Sequence, residues 1–488
     1  MKFLPIESVR ESDSYTIKNN ISEEELIRNV GEALSKAYLF GGKTLVIAGS
    51  GNNGADGIAL SLALTKRKHE VEILLSEGKL NSISEKLLSE FNVRVYKDPS
   101  MVDFSQYNTI VDGIYGTGFH GSLDDNHIKL INKINKSKAY KIAIDIPSGL
   151  NVTSGRTSLA FKADRTLAIE FLKPGYFLND GLDYVGNVKA VKVGINEIGK
   201  SYRIYTYKDF EDSFPKRNKN SNKSSFGHTG LICGSINYSG ASKLANMAIS
   251  QLCSGAGLTS LIIPDCIADY VGPYMLDSIM YLLDSKDGHL SFNERQLKKV
   301  TDNLTSLGYG MGVTVSDDTK ETLKWLLLNY KGRLLIDADG LNCLSEMDLN
   351  LLNESEADII LTPHPKEFSR LTGSSIDEIL DDPVSRALEF TNKYNVTLLL
   401  KGTSTVISKK EELTLIIGGH PSLSKGGSGD ILSGIITGIM AYKNDVYESA
   451  CSGAFLQSLI GESLDNDYGS YSATASDQII YLKQLLKM

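Results

Sequence analysis

The stretch Leu45-Val46-Ile47-Ala48-Gly49-Ser50-Gly51-Asn52-Asn53-Gly54-Ala55-Asp56-Gly57 runs from an apolar strand over 44–48 into a helix expected over 58–64. Its backbone amides therefore gather at a helix N-terminus, a place that suits phosphate. Gly49, Gly51 and Gly54 match the dinucleotide-binding spacing, and Glu77 follows the next strand at about the distance expected of a ribose-binding acid. That spacing does not ask for the Asn-Asn-Gly-Ala-Asp run inside the turn. Amide and carboxylate oxygens there suit a hard cation or the amide of a nicotinamide.

Working outward, short β-branched runs alternate with helical stretches, the pattern of a parallel sheet covered by helices. Strands are expected at 44–48, 71–75, 109–111, 141–144, 166–169 and 188–193, which makes one doubly wound α/β domain. Ahead of them, Ser22 followed by Glu25 reads as a capping box opening a helix. Residues 215–225 carry no aliphatic side chain, so the domains are placed at 1–210 and 223–488 with a linker at 211–222. The second domain expects strands at 229–233, 258–263, 304–307, 334–336, 359–361, 396–400 and 404–407, with helices near 241–253, 377–394 and 430–442. No short-period repeat is visible.

A length of 488 residues suits two cores, and 41% hydrophobic with 23% charged residues is ordinary for folded protein. A net charge of −8 offers no basic field for nucleic acid; only 216–223 is locally basic. The five cysteines form no CxxC pair and lie in apolar surroundings, which suits reduced thiols and suggests no zinc site. The N-terminus meets Glu7 before a signal-like apolar core can form, and no apolar run reaches the length of a membrane span. A cytoplasmic location without membrane or nucleic-acid partners is expected, with a homo-oligomer as the expected state.

Further oxygen donors follow other strands of the first domain, at Asp112 and at Asp145-Ile146-Pro147-Ser148-Gly149, while Gly116-Thr117-Gly118 lets backbone approach a ligand closely. Any one of Asn53, Asp112 and Asp145 is explained by a cap or turn; all three at strand ends converge on one crevice. Over roughly residues 5–205 the sequence resembles the NAD(P)H-hydrate epimerase family, which carries a GNNGGDG loop, a D-x-x-x-GTG segment and a DIPSG segment in this order. The resemblance implies that Asn53, Asp112 and Ser148 hold a potassium ion. It implies that Asn52, Asn53, Gly54, Ala55, Asp56, Gly116, Thr117, Gly118, Phe119, His120, Gly121, Ser122 and Asp145 meet the hydrated dinucleotide. Asp145 is the candidate acid–base for exchange of R and S epimers at C6, through ring opening or through ionisation. Ala55 replaces the family's second glycine, putting a methyl in the loop that bears on epimerase rate, and Phe119-His120-Gly121 replaces a more apolar continuation.

Near the other end, Ser424-Lys425-Gly426-Gly427-Ser428-Gly429-Asp430 enters a helix with three glycines that let amides turn toward one point, and Asp430 is a candidate base beside that oxyanion site. The bland reading is a flexible turn with a helix cap. Lys401-Gly402-Thr403-Ser404-Thr405 follows a strand, where a lysine and hydroxyls suit nucleotide phosphate or ribose. Thr362-Pro363-His364-Pro365 fixes a histidine on a stiff loop beyond another strand, and Asp337-Ala338-Asp339-Gly340-Leu341-Asn342 follows a third. From Lys223 almost to the end, the chain resembles the ADP/ATP-dependent NAD(P)H-hydrate dehydratase family, which has a ribokinase-like fold. The resemblance implies that Ala241, Gly312, His364 and Asp430 contact the hydrate and that Lys401, Gly402, Thr403, Ser404, Thr405 and Gly429 contact the adenine nucleotide, with magnesium bridging its phosphates. Lys366 stands where the family commonly has glycine, and Tyr309 and Met311 are further departures.

Three alternatives compete. A ribokinase-like vitamin kinase of the hydroxymethylpyrimidine type also needs a Gly-x-Gly-Asp anion hole, but gives the first domain's motifs no role. The first domain as a non-catalytic scaffold does not call for Asp112, Asp145 and Ser148. An NAD-dependent oxidoreductase lacks a recognisable hydride-acceptor site. The resemblance therefore implies epimerisation of NADHX and NADPHX in the first domain and S-specific, nucleotide-dependent dehydration in the second. By analogy with fused bacterial and archaeal members, ADP is favoured over ATP.

Overall fold

The computed structural model describes residues 1–77, 79–214, 216–251, 255–443 and 445–486. Pro215 of the expected linker and Cys253 of the expected 241–253 helix lie outside the described residues. The chain divides into two compact units, Lys2–Tyr202 and Arg203–Met488 together with Met1. The division falls before the expected 211–222 linker, because Arg203 and Ile204 pair in parallel with Thr414 and Leu415 and so belong to the second sheet. No described helix is long and apolar enough to cross a membrane.

The first unit holds a parallel sheet in the order Arg94–Tyr96, Val71–Leu75, Thr44–Ala48, Thr109–Gly113, Tyr140–Ile144, Arg165–Ile169, Asn187–Val191. Thr44–Ala48 and Val71–Leu75 are buried along their whole length, as strands covered on both faces must be. The direction of winding reverses at Thr44–Ala48, so a crevice opens at the carboxyl ends of Thr44–Ala48 and Thr109–Gly113, the place where such sheets bind ligands. The helix after Thr44–Ala48 begins at Asn52, not at 58, and runs to Lys66 with Gly51 as its N-cap. The polar Asn-Asn-Gly-Ala-Asp run is therefore the first turn of a helix, not a loop before one. Two helices precede the sheet. Ile6–Asn19 was not expected from the sequence, and Glu23–Ala37 starts where the capping box puts it, Ser22 accepting from Glu25 N at 3.2 Å.

In the second unit, parallel strands run in the order Thr397–Leu400, Asp358–Leu361, Arg333–Ile336, Ser306–Tyr309, His228–Ile232, Leu258–Pro264, Ile279–Leu283. Beyond Thr397–Leu400 the sheet turns antiparallel through Thr405–Lys409 and Glu412–Ile416. The apolar helix Ser428–Met440 packs in the core with Leu335, Ile360 and Leu399. It starts at Ser428, two residues before the expected 430, because Gly427 takes φ +97° as its N-cap. The single helix expected over 377–394 is two, Ile376–Asp381 and Pro383–Lys393: proline at 383 cannot continue the first and is favoured at the first position of the second.

Candidate active sites

In the first unit, a cavity of about 720 Å³ occupies the switch-point crevice. Asn52, Asn53, Asp56, Gly116, Thr117, Gly118, Phe119, His120, Ser122 and Asp145 line it; Gly54, Ala55 and Gly121 do not. The helix explains two of the absences. Gly54 lies so close to Gly49 that an added Cβ would sit 2.0 Å from its carbonyl oxygen, and Ala55 is wholly buried in an apolar cluster with Ile27, Ile58 and Leu62. The methyl that distinguishes Ala55 faces core, not ligand. Asn52 is held by a 2.8 Å bond from its Nδ2 to Glu23 Oε1, and Ser50 Oγ donates to Glu77 Oε2 at 2.8 Å.

Asn53, Asp112 and Ser148 come together behind the loop that starts at Tyr115. Ser148 Oγ and N donate to the two Asp112 oxygens, each at 2.7 Å, and Ile114 N adds a 3.1 Å bond. Asn53 Nδ2 donates to the Tyr115 carbonyl at 2.8 Å, and Tyr115 N to Ser148 Oγ at 2.9 Å. Burial raises the Asp112 carboxyl to about 6 despite the Ser148 and Ile114 bonds. The donor set is carboxylate, hydroxyl, side-chain amide and backbone carbonyl, all hard oxygens that fit an alkali cation better than a soft metal.

Asp145 sits where Tyr140–Ile144 ends, with φ +62°, and Ile146 N donates to Ile144 O at 2.7 Å, closing a three-residue turn around it. A non-glycine residue in this region costs of order 1–3 kcal/mol, and such strain gathers at functional sites. Asp145 Oδ1 accepts from Ile169 N at 3.0 Å and from Lys173 Nζ at 2.6 Å, and the Asp145 carbonyl accepts from Tyr176 at 2.6 Å. Lys173 is 1% exposed and also donates to the Phe171 and Ile169 carbonyls. Asp13, from helix Ile6–Asn19, lines the same cavity. Burial, then the Asp145 charge, raises Asp13 to about 6 against the opposing pull of Lys173; burial, Asp145 and Asp13 raise Asp56 well above the usual carboxylate range. Sequence reasoning missed Lys173 and Asp13. A lysine in Phe171-Leu172-Lys173-Pro174, directly after an apolar strand, was the available signal for the first. Asp13 gave none, because its helix was not expected.

In the second unit, Lys401 Nζ donates to Asp337 Oδ1 at 2.9 Å, and Ser433 Oγ donates to Asp337 Oδ2 at 2.7 Å. Burial alone would raise Asp337; the Lys401 charge and these bonds hold it below the usual range. Gly429 stands over the pair, its missing Cβ falling 3.8 Å from both Asp337 Oδ2 and Lys401 Nζ. One residue on, Asp430 is raised to about 7 by burial and Asp337, with Lys401 opposing and Asp339 adding. Gly429, Asp430 and Lys401 are thus brought together around Asp337, which the sequence reading had flagged only as part of its segment.

His364 caps helix Pro365–Thr372: its Nδ1 accepts from Lys366 N at 3.1 Å and Glu367 N at 3.2 Å, while His364 N donates to Glu367 Oε2 at 2.9 Å. Burial and then Lys401 lower the His364 pKa, and an Nδ1 that accepts leaves Nε2 to carry the proton of the neutral ring. Glu367 is raised by burial, with Lys401 opposing. Gly312, at φ +67°, packs on Ala241, an added Cβ falling 3.1 Å from the alanine's. Gly402 and Thr403 are exposed in the turn between Thr397–Leu400 and Thr405–Lys409, and Ser404 Oγ accepts from Gly418 N at 3.1 Å.

The profile of the NAD(P)H-hydrate dehydratase family matches residues 229–484, and that of the YjeF-related protein N-terminus matches residues 23–175. A bifunctional NAD(P)H-hydrate repair enzyme of Dictyoglomus turgidum is 30% identical over 456 residues, covering 90% of this chain and 87% of the relative. A ribokinase-like superfamily protein of Enterococcus faecalis superposes with TM-score 0.51 at 24% identity, over 58% of this chain and 95% of that one. The ADP/ATP-dependent NAD(P)H-hydrate dehydratase of Bacillus subtilis, co-crystallized with ATP and Mg2+, superposes with TM-score 0.51 at 23% identity, over 58% and 97%. Both likenesses give the second unit a ribokinase-like fold. With one profile on each unit and a fused relative spanning both, the chain belongs to the family of bifunctional NAD(P)H-hydrate repair enzymes.

Proposed function

We propose that the first unit interconverts the R and S hydrates of NADH and NADPH in its switch-point cavity, and that the second dehydrates the S epimer at the expense of ADP or ATP. The observation that carries the first half is Asp145, held in a strained turn on the cavity wall by a buried lysine. There it exchanges the proton of the C6 hydroxyl. Asn53, Asp112 and Ser148 hold potassium, which supplies positive charge beside the buried Asp112 carboxylate. Those three residues orient the 112–122 segment against the dinucleotide.

In the second unit, Asp430 accepts the proton of the C6 hydroxyl as its oxygen attacks the terminal phosphoryl group, releasing AMP from ADP or ADP from ATP. The amides around 427–430 meet the charge that develops on the transferred group. Elimination then breaks the C6–O bond, phosphate leaves with its electron pair, and loss of the C5 proton restores the dihydronicotinamide. Hydroxide alone would be a poor leaving group. Magnesium supplies neutralisation of the nucleotide phosphates. Lys401, tied to Asp337, places a fixed positive charge under Gly429.

Chromatographic separation of the epimers tests the division of labour. Without nucleotide, the protein should drive pure R hydrate toward an R/S mixture faster than buffer does, with no NADPH formed; adding ADP or ATP should consume S first. An unchanged R fraction would remove the epimerase half, and consumption of S without nucleotide would remove the dehydratase half.

A further inference from the structure

Five carboxyls line the cavity of the first unit together with one lysine, Lys173; Glu23 and Glu77 accept from Asn52 and Ser50, while Asp13, Asp56 and Asp145 feel one another's charge. Lys173 is committed to Asp145 at 2.6 Å. Neither Asp13 nor Asp56 has a side-chain hydrogen-bond partner among the described residues, although Asp56 is 7% exposed and both line the cavity. Counting charge among Asp13, Asp56, Asp145 and Lys173, one ammonium balances one carboxylate, and two further carboxylates in the same cavity would repel each other and Asp145. The cluster is relieved by retaining a proton, the situation of paired carboxyls that serve as acid and base.

We propose that Asp13, on the N-terminal helix Ile6–Asn19, is the second proton-carrying catalytic residue of the epimerase site, the acid that works opposite Asp145. This rests on the epimerase reading of the first unit. The helix precedes residues 23–175, where the YjeF-related profile matches. Between the two unpartnered carboxyls, Asp13 suits the task better. It is half-buried and can reload its proton from water, whereas Asp56 is enclosed. Burial and the Asp145 charge push the Asp13 carboxyl up to about 6, nearer to working pH than an ordinary carboxyl, and Asp56, raised well above the usual carboxylate range, lacks the same access to water.

In ring opening, Asp145 takes the proton of the C6 hydroxyl and the O–H pair forms the C6 carbonyl. The C6–N1 bond breaks with its pair going to N1, and Asp13 gives N1 its proton. Closure on the opposite face of the carbonyl runs the same transfers backward. Asp13 recovers the N1 proton, Asp145 returns one to oxygen, and C6 is inverted with both carboxyls as they began.

The test uses the full chain with Asp13→Asn and Asp13→Glu, following R/S interconversion without nucleotide and, in the same preparations, dehydration of the S epimer with nucleotide. The Asn variant should lose about 100-fold or more of epimerase kcat, with KM for the hydrate within about threefold and the dehydratase rate unchanged. The Glu variant should recover part of that loss. An Asn variant within about threefold of the wild-type kcat, or a loss confined to KM, overturns the proposal. If the Asn variant fails to fold, the Glu variant decides: a rate between wild type and the uncatalysed background supports the proposal, and a wild-type rate overturns it. A wild-type chain that leaves the epimers at the background rate overturns the epimerase reading and the proposal with it; wild-type catalysis kept in the Asn variant overturns only the proposal.

Discussion

Lys173 and Asp145 form a buried ion pair, Nζ to Oδ1 at 2.6 Å, with the lysine 1% exposed and bonded to two backbone carbonyls as well. Removing one member of such a pair leaves an uncompensated buried charge, typically a loss of about 3–5 kcal/mol. Lys173→Met should therefore lower the thermal unfolding transition of the first unit and reduce epimerase kcat by about 100-fold or more, while dehydration of the S epimer continues. A variant that epimerises at the wild-type rate would show the pair to be structural only.

The second unit makes a prediction about pH. In the proposed dehydration it is the carboxylate form of Asp430 that accepts the hydroxyl proton, and burial, then Asp337, pushes this carboxyl up to about 7. Dehydration of the S epimer should fall as pH drops through about 7 and level off above it. Lys401 opposes the upward shift, so Lys401→Met should move this limb to higher pH. Asp430→Asn should remove about 10²–10⁴-fold of the rate on the alkaline plateau and abolish the acid limb. The linkage runs the opposite way: because the folded state raises this pKa, protonated Asp430 favours the fold at low pH, and that contribution is lost as pH rises from the ordinary carboxylate range through about 7. A rate that stays flat across this range would rule out Asp430 as the base.

Ala55→Gly restores the family's glycine at a position wholly buried in the core and absent from the cavity lining, although Ile27, Asn53 and Asp56 beside it do line the cavity. Glycine within a helix costs about 0.5–1 kcal/mol relative to alanine, and the lost methyl adds to that. The substitution should lower stability in urea unfolding and leave epimerase kcat and KM unchanged. A rate gain would mean that the methyl crowds the ligand.

Exchange of potassium for a bulky organic cation should slow epimerisation and leave binding of the nucleotide by the second unit untouched. Ser148→Ala removes the hydroxyl that donates to Asp112 at 2.7 Å and should weaken the potassium dependence by raising the concentration needed for half effect. Equal rates in both salts would remove the cation from the account.

Much of this was legible in the residues. Strands 44–48 and 71–75 appear where their β-branched runs put them, and Asn52, Asn53 and Asp145 line one crevice, whereas Asp112 and Ser148 bond to each other behind its wall. Helix starts were less legible. Asn52 and Ser428 begin their helices earlier than expected because glycine caps, Gly51 and Gly427, admit the turn without a side-chain signal. Partners far apart in sequence were not legible at all: nothing local announces that Lys173 reaches Asp145, that Lys401 reaches Asp337, or that Asp13 enters the cavity. Such pairings are set by packing, which periodicity does not encode.

The central claim is that one chain returns both epimers to usable cofactor. Its most direct test mixes purified protein with R/S NADPH hydrate, magnesium and potassium, and follows the near-ultraviolet absorbance of the reduced nicotinamide with ADP, with ATP and without nucleotide. Recovery of all the NADPH, dependent on nucleotide and faster than spontaneous epimerisation allows, is the predicted result. Recovery that stops at the S fraction would contradict the epimerase half, and no recovery with either nucleotide would contradict the account as a whole.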